Sequence, residues 1–230
     1  MAAEFLWRRR TRPTRGPKPA LSLERIADTA IGIADAEGLA AVSMQRVAAE
    51  FGFTKMSLYR YLPGKAELVA LMVERAIGEP PEVGTGDWRA ALQQWAQRLL
   101  AGYLRHPWVL EATVGPRPIG PNELDWMERA VAAMAGTGLT GSERLDAIAV
   151  LAGHARMIAQ QAAAADRPEA QLLAQITDLL REHGDRFPAL AATMTSAATE
   201  GPQDQAFTFG LARILDGLQL LIAQRRKPTT

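Results

Sequence analysis

The stretch 51-FGFTKMSLYRYLPGKAEL-68 decides the fold. It sets Tyr59, Tyr61, Arg60, Lys55 and Lys65 on one short segment, and Pro63-Gly64 stops it. A solvated surface helix is the plain explanation. The alternative is a face built to lie against another molecule. The residues just upstream favour the second. Ala48, Gly52 and Leu58 follow A-x3-G-x5-L spacing. A small residue at 48 lets a following helix cross close above it. Gly52 adopts the left-handed backbone of a tight turn without a Cβ penalty. Leu58 and Leu62 return to a core with Val47 and Ile31. This is the layout of a helix-turn-helix, whose second helix enters a major groove. Thr54, Lys55, Ser57, Tyr59, Arg60 and Tyr61 are then expected to face outward. An ordinary helical hairpin with a polar face is the competing explanation.

Helical spacing extends in both directions. Leu23, Ile26, Ala27, Ala30, Ile31 and Ala34 predict a helix that begins at Ser22 and closes at Gly38. Ser43 is a plausible N-cap for a helix bearing Met44, Val47, Ala48 and Phe51. A third helix is predicted over about 54–61. A fourth carries Leu68, Leu71, Met72, Arg75 and Ala76. The segment 78-GEPPEVGTG-86 is a loop. Beyond it Asp87 is an N-cap for a stripe of Trp88, Leu92, Trp95, Leu99 and Tyr103. Further helices are expected near 122–135, 141–165, 168–183, 187–199 and 204–225. Thr140 and Glu143 have capping-box spacing. No strand alternation is evident. The expected class is all-α, with a basic disordered arm (1–21), a helix-turn-helix domain (22–78) and a larger helical domain (87–226).

Composition narrows the function. With 48% apolar residues among 230, a sizeable core can be buried. Net charge is only +1, yet residues 1–18 hold Arg8, Arg9, Arg10, Arg12, Arg15 and Lys18 against Glu4 alone. Such an arm can track phosphates or enter a minor groove; a solubilising tail is the alternative. The absence of cysteine excludes disulfides and thiolate metal sites. His106, His154 and His183 have no metal-ligand spacing, and no phosphate-binding or nucleophile motif is present. No cofactor, metal or enzymatic activity is expected. No secretory signal is visible and no run approaches a membrane span, so a cytoplasmic protein without membrane contact is expected.

The segment 41-AVSMQRVAAEFGFTKMSLYRYLPGKAELVALMVE-74 resembles the DNA-binding domain of the TetR family of repressors. The pattern Ser43, Val47-Ala48, Gly52, Ser57-Leu58-Tyr59, Tyr61-Leu62, Lys65 and Leu68 carries the resemblance, which covers 22–78. The "MSLYRY" form and the Trp-rich second region are similar to the branch with a tetracycline-repressor-like C-terminal domain. The resemblance implies a homodimer on a palindromic double-stranded operator, released by a small-molecule effector. It implies that Gln45 reaches a base edge. Lys55, Ser57 and Arg60 are assigned to bases, Tyr59 to phosphate, and Lys65 to phosphate with its helix N-terminus. Thr54, Met56 and Tyr61 complete the DNA set, with packing the alternative for Tyr61. Met56 and Arg60 depart from the tetracycline repressor, so a different operator is implied.

In the second domain two stripes invite self-association: Leu145, Ile148, Leu151, Ala152, Ala155, Ile158, Ala159 and Ala162, and Phe207, Leu211, Ile214, Leu215, Leu218 and Ile222. Monomer core is their alternative; the resemblance implies a four-helix dimer interface. Trp95, Tyr103, His106, Trp108, Met127, His154 and Met157 are the candidate effector contacts, with Glu111, Asn122 and Gln160 as further polar anchors and core filling as their alternative. A DNA-binding protein without a small ligand is the rival reading.

Overall fold

A computed structural model describes residues 4–7, 21–82, 86–164, 168–200 and 205–225, and among these every regular element is helical. Ser22 accepts a hydrogen bond from the Arg25 N–H and starts α2 (Leu23–Glu37). Ser43 does the same for α3 (Met44–Glu50) through the Arg46 N–H. Each hydroxyl satisfies an amide that has no partner within its own helix. Gly52 has φ +70°, so the turn to α4 (Lys55–Leu58) uses the backbone region that favours glycine. The last helix of this domain is α5 (Lys65–Ile77). Ile26, Ala30, Val47, Ala48, Leu58, Leu62, Leu68 and Met72 are fully buried together.

Asp87 caps α6 (Trp88–Arg105), accepting from the Arg89 and Ala90 N–H groups. Then follow α7 (Trp108–Ala112), α8 (Pro121–Ala133) and α9 (Gly141–Ala164). The capping box forms: Thr140 N donates to Glu143 Oε2 at 2.8 Å and Glu143 N to Thr140 Oγ1 at 3.3 Å. After α10 (Pro168–His183) and α11 (Pro188–Glu200), α12 (Ala206–Arg225) returns to pack on α9 and α6. Leu92, Trp95, Trp126, Met134, Leu151, Leu211 and Leu215 form the second core. Helices α10 and α11 pack chiefly on each other and leave Leu172, Leu179, Phe187 and Leu190 exposed.

Four expectations change. Residues 4–7 were expected in a disordered arm; they form α1 (Glu4–Trp7), with Leu6 buried and the Trp7 indole N–H donating to Ile119 O at 3.3 Å. The basic residues 8–18 lie outside the described residues. The 78–87 segment does not bound the first core, because Trp108 and Val109 of α7, beyond it, are buried among the side chains of α2–α5. Half of the two stripes expected at a dimer interface belongs to the chain's own core: Ile148, Leu151, Ala155 and Ala159 on α9 and Leu211, Leu215 and Ile222 on α12 are buried within one chain, whereas Leu145 and Ala162 are exposed. Both helices are apolar on more than one face: α6 packs on both and α8 on α9, while Val150, Met157, Phe209 and Leu220 stay exposed. Lastly, α12 is long and apolar enough to cross a membrane by length and composition, with mean hydropathy 1.4. It nevertheless carries Asp216 at mid-helix, paired with Arg89 at 2.6 Å and Arg213 at 2.6 Å.

Candidate DNA-reading face and effector region

The reading face is set by what anchors it. Leu58 and Leu62 are fully buried, and Leu62 N donates to Leu58 O at 3.0 Å, so the right-handed turn continues past α4. On a helical wheel Met56 and Arg60 then form the ridge opposite those two leucines. Thr54, Lys55, Met56, Tyr59, Arg60 and Tyr61 are exposed, Ser57 is half-buried, and Gln45 on α3 is exposed beside them. Lys65 stands exposed at the start of α5. Among the described residues Lys55, Arg60 and Lys65 have no ion-pair partner, whereas Arg46 is held by Glu37 at 3.0 Å and Glu50 at 3.2 Å. Tyr61 is tied at one end, its hydroxyl donating to Leu21 O at 3.4 Å where the chain enters α2.

The candidate effector residues divide. Tyr103, His106 and Trp108 come together at the joint between the domains. There Asp35 of α2 accepts from the Trp108 indole N–H at 2.7 Å and contacts His106 Nδ1 at 2.8 Å. Trp95 lies in the second core, edge-on to Trp126 and donating to Trp126 O at 2.9 Å. His154 stacks on Phe207 at 5.5 Å and fastens α9 to α12 through Phe207 O. Met157 points outward from α9. Met127 lines an open groove of about 490 Å³ with Trp7, Leu124, Glu128 and Val131. Glu111 and Gln160 are exposed, and Asn122 is engaged by Glu74.

Sequence reasoning missed the charged residues of the joint. Arg156 reaches from α9 to the Thr113 hydroxyl at 2.8 Å and to Leu110 O, holding the C-terminal end of α7. It also bonds Tyr103, whose phenol is nevertheless pushed up, chiefly by burial. Arg117 forks onto Glu123, with Nη1 to Oε1 at 2.5 Å. Glu74 of α5 is almost fully buried. It accepts from the Asn122 N–H at 2.8 Å, and the Asn122 amide donates back to Glu74 O at 2.8 Å. Its Oε2 has no hydrogen-bond partner among the described residues and lies against Gly120, where a Cβ would come within 2.1 Å. Burial, then the nearby Glu123 and Asp125, raises the Glu74 carboxyl above its ordinary value; the Asn122 and Glu123 backbone N–H groups oppose this. A charged residue beside an apolar stripe, as Arg156 stands beside Ala152, Ala155 and Ala159, is the signal that could have found this set.

Residues 80–222 match the family described as tetracyclin repressor-like, C-terminal domain, and residues 26–72 match bacterial regulatory proteins, tetR family. The chain belongs to the TetR family. The HTH-type transcriptional repressor DrrR1 of Streptomyces coeruleorubidus is 42% identical over 97% of this chain and 86% of its own length. Apo ActR from Streptomyces coelicolor superposes with TM-score 0.77 at 26% identity, covering 90% of this chain and 99% of ActR. ActR in complex with actinorhodin superposes with TM-score 0.72 at 27% identity, covering 88% and 97%. This TetR-family member is thus a transcriptional regulator with a helix-turn-helix.

Proposed function

We propose that this TetR-family protein is a repressor that binds a palindromic operator as a homodimer and is released by a small apolar or aromatic effector. The observation that carries the reading is the set Lys55, Arg60 and Lys65, exposed and without an ion-pair partner among the described residues, beside the wholly buried anchors Leu58 and Leu62. A rigid frame that leaves its cations unneutralised suits a polyanion, and phosphate contacts position while base contacts specify. Gln45, Lys55, Ser57 and Arg60 are assigned to bases, and Tyr59 and Lys65 to phosphate. The repressor sense follows DrrR1, and the effector follows ActR, which binds actinorhodin.

The dimer is assigned to the outer faces of α9 and α12. Val150 and Met157 on α9 and Phe209 and Leu220 on α12 are large apolar side chains left exposed there, which a partner copy would cover. Two reading heads about one DNA turn apart, roughly 34 Å, reach the specificity that one lacks. The effector is assigned to the region of Tyr103, His106 and Trp108, next to α7. A shift of α7 there would displace the core of the reading domain and change the spacing of the two heads.

A second reading, a regulator without a small ligand, is favoured by the mutual pairing of Arg117 with Glu123 and of Arg156 with Thr113, which already satisfies that region. Selection of bound sequences from a random duplex pool, repeated over a salt series, tests the proposal. A palindrome with fixed half-site spacing is expected. Binding that is steeply salt-dependent but blind to sequence would overturn it.

A further inference from the structure

Met56 is an unexpected residue on a face otherwise made of cations, hydroxyls and amides. It is 63% exposed, the most exposed large apolar side chain of the helix-turn-helix domain among the described residues. It is not at the rim: with Arg60 it forms the ridge directly opposite Leu58 and Leu62. Lys55 and Arg60 on the same segment and Lys65 at the start of α5 are exposed and have no ion-pair partner among the described residues, so this segment suits a polyanion. An apolar side chain aimed at the floor of a major groove meets base edges made of hydrogen-bond donors and acceptors. The one apolar group on those edges is the 5-methyl of thymine. Methionine suits that contact, because its unbranched thioether adapts to a small apolar target.

We infer that Met56 is a specificity-determining residue that reads a thymine methyl in each operator half-site, next to a guanine read by Arg60. The inference rests on the DNA-binding reading above. Residues 56 and 60 are one helical turn apart, about 6 Å along the axis. That places the thymine within one or two base pairs of the guanine, at roughly 3.4 Å per step. The arginine contact is the forked pairing to O6 and N7.

The test uses the full-length protein and the operator recovered by selection. Each thymine is replaced in turn, symmetrically in both half-sites, by deoxyuridine, which keeps the pairing edge and O4 but lacks the methyl. Affinity is measured for the native protein, Met56→Ala and Met56→Leu. One position per half-site is expected where the native protein loses about fourfold per methyl, the equivalent of ~0.8 kcal/mol for one buried methyl-sized group. Met56→Ala should bind thymine and deoxyuridine alike there, and Met56→Leu should retain discrimination. That position should lie within two base pairs of the one whose guanine preference Arg60→Ala relaxes. A flat deoxyuridine scan, or a sensitivity that survives in Met56→Ala, overturns the assignment while leaving the operator-binding reading intact. Failure to recover any specific operator overturns both.

Discussion

The reading face and the domain joint are both rich in charge, and they treat it in opposite ways. At the face, Lys55, Arg60 and Lys65 are exposed and have no ion-pair partner among the described residues. At the joint, Asp35, Arg117, Glu123 and Arg156 are each matched to a named group within the chain, with Glu74 Oε2 the exception among the described residues. Internally satisfied charges fix one arrangement of helices. Unsatisfied ones await a partner from outside. The contrast separates residues that hold the molecule from residues that act on something else.

Five substitutions would break or sharpen that contrast. The largest effect is expected at Trp108→Ala, which empties part of the N-terminal core and leaves Asp35 without the indole donor. A loss of ~3–5 kcal/mol is expected in denaturant unfolding. An unchanged midpoint would mean that α7 does not support the reading domain.

Next, Lys55→Ala or Arg60→Ala should weaken operator binding by about 1–3 kcal/mol and relax base preference. Their unfolding should stay within about 0.5 kcal/mol of the native protein. A comparable loss of stability would erase the distinction between face and joint. Lys65→Ala should lower affinity for all sequences about equally and reduce the salt slope by about one. A change in sequence preference instead would move Lys65 from phosphate to base contact.

The smallest effect is expected at Glu74→Gln, and it concerns pH. The folded carboxyl holds its proton more tightly than the unfolded one, since burial raises it above the ordinary 4.5. Its contribution to stability is therefore fully present below about pH 4.5 and is lost as pH rises through the raised folded value. Thermal unfolding followed upward from that pH should show this decline in the native protein. The decline should be flatter in Glu74→Gln, which cannot ionise; identical profiles would place the pH response elsewhere.

Much of the fold was legible because its signals are local. The caps at Ser22, Ser43, Asp87 and Thr140, the positive φ of Gly52 and the burial of Leu58 and Leu62 all follow from residues within one or two turns of each other. The outward residues of the reading segment followed from the same anchors. What escaped was non-local. Nothing around Trp108 indicates that its indole belongs among helices beginning at residue 23. Periodicity finds an apolar face on α9 and α12 but cannot say which neighbour covers it when more than one face is apolar. The segment Phe5-Leu6-Trp7 is too short for any period to show, and only the docked indole at Ile119 reveals its order. The effector region depends on pairings across α5, α6, α7, α8 and α9, and no spacing in one helix encodes those.

The insertion of α7 into the N-terminal core also limits how such a chain can be recombined. A fragment cut in the 78–87 loop would keep the whole helix-turn-helix yet uncover the apolar bed on which Trp108 and Val109 rest. The reading half is therefore not a detachable cassette. A chimera that grafts it onto a foreign sensor must carry the 106–113 segment with it, or rebuild that bed to suit the new one.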